Sequence, residues 1–483
     1  MSTQTLKHPV GLVYCFMTEM WERFSFYGLQ ALLLLYMVEK LHLGSQAPII
    51  FGDYVTYVYI TTAIGGIIAD RLIGYRRCVM LGGSSIVVGN ILLTLSFINP
   101  TLLFLGLGFI SAGTGLFKAN VTVIVGKLYD GKEKLRSSGF TYFYAGINLG
   151  SLIATFLVGW VGLTYGWNWG FLLAAIGMCF GLFMFTKGRK HFPEVVENYN
   201  PIIKNKYIGV TLWGWLIIGI IAISFVFAYI IAHPVAANIV TLGSLVILVV
   251  YISTFWKNLT KIDKKGVFMI LFLSIFMVLF WGFNNQQSSS FPIFIQNFVG
   301  KTIGTHVFLT TTIMGMYLVI LTILNPILAF IWQKLSGVGK EPSDELKFVL
   351  SLLFLAFGFG VLVIGGHTLP MHLRWIMFCY TLLALGELCI SPVGLSLVTR
   401  LAPKHLSSTM MGIWWTISAY AGWIGGQIGS YADKSSRTYS LGDGFIHIYF
   451  MVFIASLVLA IILFVLLPFV KKRQAKDDEI RAI

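Results

Sequence analysis

Apolar runs of about 20 residues, each long enough as a helix to cross a bilayer core of about 30 Å, recur along the whole chain, separated by short charged or Gly/Pro-containing breaks. Fourteen such segments can be marked off, near 10–38, 51–69, 78–98, 101–126, 139–162, 167–186, 207–231, 236–256, 266–288, 307–333, 347–367, 373–399, 408–431 and 445–469. The pattern predicts an all-α polytopic membrane protein. An even number of spans puts both termini on one side.

Which side follows from Lys and Arg alone, since acidic residues contribute little to orientation. The loops on the side of the termini hold 27 basic residues and the opposite loops five, Lys40, Lys301, Arg374, Lys434 and Arg437. Arg23 and Lys118 fall inside spans. Both termini are therefore expected in the cytoplasm, with the protein multi-pass in a cytoplasmic (inner) membrane. Composition agrees: 57% of the 483 residues are hydrophobic and 11% charged, against about 25% charged in soluble proteins. The net charge of +15 is accounted for by this topology, so the bilayer and not a nucleic acid is the expected partner. No cleavable signal peptide is expected, because Glu19, Glu22 and Arg23 interrupt a first segment that is too long for an h-region. The five cysteines include no CxxC pair, and the closest histidines, His367 and His372, fit no common zinc spacing, so neither metal nor cofactor is expected.

The two halves echo each other. At a constant offset of 273, Gly113 aligns with Gly386, Val125 with Val398, Lys127 with Arg400, Leu128 with Leu401 and Gly139 with Gly412. The turn at 71–74 is repeated at 334–337. This predicts six helices, two inserted ones, then six more, the 6+2+6 form of the major facilitator fold, whose substrate sites lie between the halves. The expected division is 1–190 for the first bundle, 191–260 for a connector and the inserted pair, and 261–483 for the second bundle with a short tail.

Ionisable residues deep in a span cost about 2.5–3.5 kcal/mol each on insertion scales and usually line a cavity. Glu19, Glu22 and Arg23 lie in the first segment, Lys118 in the fourth and Glu387 in the segment 373–399. Positions 19, 23, 27 and 30 are spaced by four, four and three residues, so Glu19, Arg23, Tyr27 and Gln30 share one helix face. Two readings remain open: ion pairs that fix helix packing, or a pocket in which a zwitterion bridges Lys118 and Glu387.

At these residues the chain resembles the proton-coupled oligopeptide transporters, the POT or PTR family of the major facilitator superfamily. Residues 19–25 fit its ExxERFS motif, 65–74 its GGxxADRxxG turn, 115–120 GLFKxN and 386–394 GELxxSPxG, while 140–151 reads FTYFYAGINLGS, close to a further signature. The two additional central helices are usual in bacterial members. The resemblance implies import of di- and tripeptides by proton symport through alternating access. It implies Glu387 at the peptide's amino terminus and Arg23 and Lys118 at its carboxylate. Tyr27, Tyr59 and Asn148 would hydrogen-bond its backbone, and Trp414 would form a wall. Glu19 and Glu22 would couple protonation to the two cations, with Asp70 and Arg71 in gating. Tyr27 and Tyr59 could instead be interfacial anchors and Trp414 a packing residue.

Departures from the family pattern fall in the implied site. Gln30 stands where many members carry a second arginine, and Asn285, in 280–287, where many carry a titrating glutamate. Losing both members of an ion pair together avoids stranding one buried charge, which costs about 3–5 kcal/mol. Phe26 stands for a common tyrosine, and Tyr317 where an asparagine is expected. Transport of another small zwitterion or anion, an uncoupled peptide facilitator and a peptide-sensing receptor are the alternatives; no nucleophile and base constellation points to an enzyme.

Overall fold

A computed structural model of the chain describes residues 8–481 except 198, 304, 404–405 and 439–441. Lys7 and Lys404, two of the residues used above for orientation, lie outside the described residues. The helices are α1 (Gly11–Glu39), α2 (Gln46–Ile68), α3 (Tyr75–Thr94), α4 (Thr101–Lys127), α5 (Glu133–Tyr165), α6 (Trp167–Gly188), α7 (Leu212–Ala232) and α8 (Pro234–Trp256). There follow α9 (Lys261–Asn284), α10 (Gln286–Ser289), α11 (Phe291–Phe298), α12 (Thr310–Gly337), α13 (Asp344–Gly365), α14 (Leu373–Leu401), α15 (Ser407–Thr438) and α16 (Asp443–Arg481). All but α10 and α11 fall on the fourteen apolar segments. Helix is what a chain in lipid must adopt, because each backbone N–H and C=O has to be satisfied within its own segment.

The ninth span departs from expectation: hydrophobicity predicts it at 266–288, whereas α9 stops at Asn284 and the chain continues through α10 and α11 to Phe298. Polar side chains cluster at the break. Gln286 donates to the carbonyl of Gly282 at 3.4 Å and Ser289 to that of Asn285 at 3.1 Å, side chains competing with the helix ladder. Pro292 then fits the first turn of α11, where no backbone donor is needed. Short two-residue ladders decorate the loops. The hairpin pairing Lys206–Tyr207 with Val210–Thr211 turns through Ile208 and Gly209, both at positive φ, 52° and 78°.

The described residues form two compact units, the first running to His42 and over Asp53–Ala237, the second comprising Leu43–Gly52 and the chain from Asn238 onward. In the first, α1 packs on α5 and α6, α3 on α4 and α6, and α7 on α4. Glycine decides how closely these helices approach. A Cβ on Gly65 of α2 would lie 2.0 Å from the carbonyl oxygen of Gly115 on α4, and one on Gly82 of α3 would lie 2.5 Å from that of Gly113. Small residues at crossings are how membrane helices gain close packing without a hydrophobic drive between them. Asn90 of α3 adds a polar tie, donating to Ser25 of α1 at 3.1 Å. In the second unit α13 packs on α14 and α16, α9 on α15, and α12 on α14. Its core includes Phe291, Phe294, Phe359 and Tyr449, whose rings meet at centroid distances of 5.4–5.8 Å.

Between α2 and α3 the chain makes a π-helical turn, Ala69–Ile73, and leaves it at Gly74 with φ +79°. The connector after α6 clips onto this turn. The backbone N–H of Asn200 donates to the carbonyl of Leu72 at 2.9 Å and its side chain to that of Arg71 at 3.4 Å. Glu197 pairs with Arg76 at 2.6 Å and Arg189 at 3.1 Å, and the Tyr199 ring lies 3.6 Å from Arg77.

Candidate functional site

In the first unit the site is built on α1. The side chains of Glu19, Glu22 and Arg23 are buried, none more than 2% exposed. Arg23 donates from Nε to Glu22 Oε2 at 2.5 Å and from Nη2 to Glu22 Oε1 at 2.6 Å, while Glu19 Oε1 lies 3.7 Å from the same Nε. The planar guanidinium matches the two carboxylate oxygens in a fork, the strongest form of such a pair. Two carboxylates on one arginine leave a net negative charge, and Lys118 of α4 acts electrostatically on Glu19 to offset it. The set Glu19, Glu22, Arg23 and Lys118 is formally neutral when every member is ionised.

Aromatic faces hold both cations. Lys118 Nζ sits 4.1 Å from the ring centroid of Tyr59 on α2, and Arg23 Cζ 4.6 Å from that of Phe26. Phe26 thus supplies a ring face to Arg23 without the hydroxyl that a tyrosine would carry. Tyr27 meets Phe26 edge-on at 5.3 Å. Gln30, about one turn beyond Tyr27, is partly buried. Asn148 of α5 is also partly buried, and its carbonyl accepts from Ser151 at 2.9 Å. α5 reaches α1 at this level because Gly150 leaves room, where a Cβ would lie 2.2 Å from the Met20 carbonyl and 3.2 Å from the Arg23 Cβ.

In the second unit the centre is Glu387 of α14. Its Oε2 accepts from the Tyr317 hydroxyl of α12 at 2.5 Å and from the Asn284 amide of α9 at 3.5 Å. Gln287 orients that amide by donating to Asn284 Oδ1 at 2.8 Å. Among the described residues these partners of Glu387 are neutral. Asn284, not Asn285, makes the approach, whereas the Cβ of Asn285 lies beside Gly425 of α15, where an added Cβ would come within 2.8 Å. Trp414 is 4% exposed and packs its indole over Gly394, where an added Cβ would lie 2.5 Å from Cζ2.

Asp70 and Arg71 lie apart from both clusters, in the π-helical turn. Both side chains are exposed, and Asp70 accepts from the Tyr75 hydroxyl at 2.8 Å.

The structure therefore joins Glu19, Glu22, Arg23, Tyr59 and Lys118 in one cluster and centres a second on Glu387. Three contributors to the second were not named as site residues from sequence: Tyr317, Asn284 and Gln287. Tyr317 had a signal, since it replaces an expected asparagine. Asn284 had only its adjacency to Asn285, where the register of a helix end decides which amide points inward.

A family model described as PTR2, POT family, matches residues 76–472. Peptide transporter YePEPT of Yersinia enterocolitica is 32% identical over 456 residues, covering 87% of this chain and 88% of its own length. A di-/tripeptide transporter of Lactococcus lactis subsp. cremoris is 33% identical over 450 residues, covering 87% and 89%. A crystal structure of a variant of peptide transporter POT in complex with alafosfalin superposes with a TM-score of 0.83 at 31% identity over 96% of each chain. A POT family transporter in complex with 5-aminolevulinic acid superposes with a TM-score of 0.82 at 28% identity, over 96% of this chain and 98% of that one.

Proposed function

The chain belongs to the POT family, and from that premise we propose that it imports di- and tripeptides by proton symport through alternating access. The carrying observation is the neutral set in which Glu22 occupies Arg23 beside Glu19 and Lys118. One proton on either carboxylate leaves this set with a charge of plus one. An arriving peptide carboxylate restores neutrality. Burial penalises any net charge, so the proton and the peptide carboxylate each favour the binding of the other, which is the thermodynamic requirement of symport. Glu387 meets the opposite end of the substrate. Its neutral partners leave its charge uncompensated, and a peptide ammonium supplies the counter-charge.

In this reading Arg23 and Lys118 receive the carboxylate and Glu387 the amino terminus. Tyr27, Tyr59 and Asn148 bond the peptide backbone, Gln30 and Asn285 contribute neutral polar groups, and Trp414 forms a wall. Glu19 and Glu22 carry the coupling proton. Asp70 and Arg71 act in gating, through a turn that the connector clips. The excess of Lys and Arg on one side supports cytoplasmic termini, and relatives from bacteria support a bacterial inner membrane. Residues 191–260 are read as a connector and helix pair inserted between two six-helix repeats, 1–190 and 261–483.

The test is uptake of labelled dialanine by purified protein in liposomes, with an inward proton gradient and again after a protonophore collapses it. Accumulation that needs the gradient is the expected result. Equal equilibration in both conditions makes the protein a facilitator, and an absence of uptake overturns the peptide reading.

A further inference from the structure

Asp53 of α2 has no part in the site described above, yet its side chain is 1% exposed and neither carboxylate oxygen has a hydrogen-bond partner among the described residues. The carboxylates of the two clusters differ: Glu22 is bonded to Arg23, Glu19 faces the same arginine, and the partly buried Glu387 accepts from Tyr317. On α2, the Tyr54 ring lies tilted 6.4 Å from Phe26 and its hydroxyl, like Asp53, has no hydrogen-bond partner among the described residues, whereas Tyr57 donates to the Ala237 carbonyl at 2.9 Å and Tyr59 covers Lys118. On α1, which meets Tyr54 through Phe26, Glu22 and Arg23 are bonded to each other. From the helices packed against this part of α2, Lys118 of α4 is the cation under Tyr59, and Tyr229 of α7 is exposed and stacked on His233.

A side chain that binds nothing is not holding helices together, and an apolar residue of its size would suit the same enclosure better. Ionisable residues retained in a span at such a cost mark ion and proton paths.

We propose that Asp53 is a further proton-carrying residue of the transport cycle. A carboxylate oxygen takes the proton from water on one side of the membrane and returns it to water on the other as the surroundings of α2 change; no other bond is made or broken. This rests on the reading of the chain as a proton-coupled peptide transporter.

The test compares Asp53→Asn and Asp53→Glu with the unmodified protein in liposomes, measuring gradient-driven accumulation of dialanine and, separately, dialanine counterflow without a gradient. For Asp53→Asn the expected loss of accumulation is about tenfold or more with counterflow retained, while Asp53→Glu keeps both. Accumulation by Asp53→Asn equal to that of the unmodified protein overturns the proposal. So does loss of counterflow in equal proportion, which would make Asp53 structural. A second measurement needs no substrate: infrared difference spectra of purified protein between acid and neutral pH. A carboxylic-acid carbonyl band missing only in Asp53→Asn supports the proposal, and an unchanged spectrum overturns it. Failure of the unmodified protein to take up dialanine would defeat the peptide reading, while the infrared comparison would still decide the role of Asp53.

Discussion

Glu22 holds Arg23, its own neighbour in the chain, through two hydrogen bonds of 2.5 and 2.6 Å. Successive helix positions point about 100° apart, so this pair forms because both long side chains bend toward each other in a site that, among the described residues, offers Arg23 one other carboxylate, that of Glu19 at 3.7 Å. The fork makes the freedom of Arg23 depend on the charge of Glu22.

Glu22→Gln keeps a similar shape and removes that charge. Gradient-driven uptake of dialanine is expected to fall by about tenfold or more, with counterflow retained, because a bond to a charged group contributes about 1.5–3 kcal/mol. Glu19→Gln should weaken coupling in the same direction. Full gradient-driven accumulation in both variants would remove these residues from the proton path.

Lys118 should be read by the substrate's carboxylate. In Lys118→Gln the affinity for dialanine is expected to drop by about 2–3 kcal/mol, or about 30- to 150-fold, the lower part of the range for truncating one partner of a buried charge pair, since Lys118 is partly buried. The amide of dialanine, which lacks the carboxylate, should bind the unmodified protein weakly and lose little further in the variant. Competition binding with both ligands measures the difference, and equal losses for the two would place Lys118 outside the carboxylate site.

At the other end of the peptide, Tyr317→Phe removes a hydroxyl that donates to Glu387 at 2.5 Å. A buried acceptor deprived of its donor costs about 1–3 kcal/mol. Peptide affinity is expected to fall by about tenfold, whereas an N-acetylated peptide, already without its ammonium, should show no such change. Titration calorimetry on the pair of ligands tests this.

Gly65 and Gly66 are adjacent yet differently placed. A Cβ on Gly65 would meet the Gly115 carbonyl oxygen at 2.0 Å, while one on Gly66 would meet nothing within 4 Å. Gly65→Ala is therefore expected to lower the thermal unfolding midpoint in detergent by at least about 2 °C. Gly66→Ala should leave it unchanged or raise it slightly, since alanine favours helix over glycine. Equal effects at both positions would argue against the close α2–α4 crossing.

Much of this protein is legible before any coordinates exist. The long helices follow from apolar length, because lipid leaves the backbone no other way to satisfy its hydrogen bonds. Glu19, Glu22, Arg23, Lys118 and Glu387 stand out for the same reason, as charges where charge is costly. Packing alone decides the rest. Helical periodicity places Glu19 and Arg23 on one face, yet the closer partner of Arg23 is Glu22, because side-chain reach and local enclosure override angular spacing. Which of Asn284 and Asn285 reaches Glu387 depends on where α9 ends, and side-chain competition with the helix ladder ended it earlier than hydrophobicity implied. In sequence Tyr317 is only a residue standing where an asparagine is expected; the packing of α12 against α14 is what brings its hydroxyl to Glu387. Asp53 passed unremarked in a polar-flecked span, because the absence of a partner is a property of three-dimensional surroundings that no single position along the chain records.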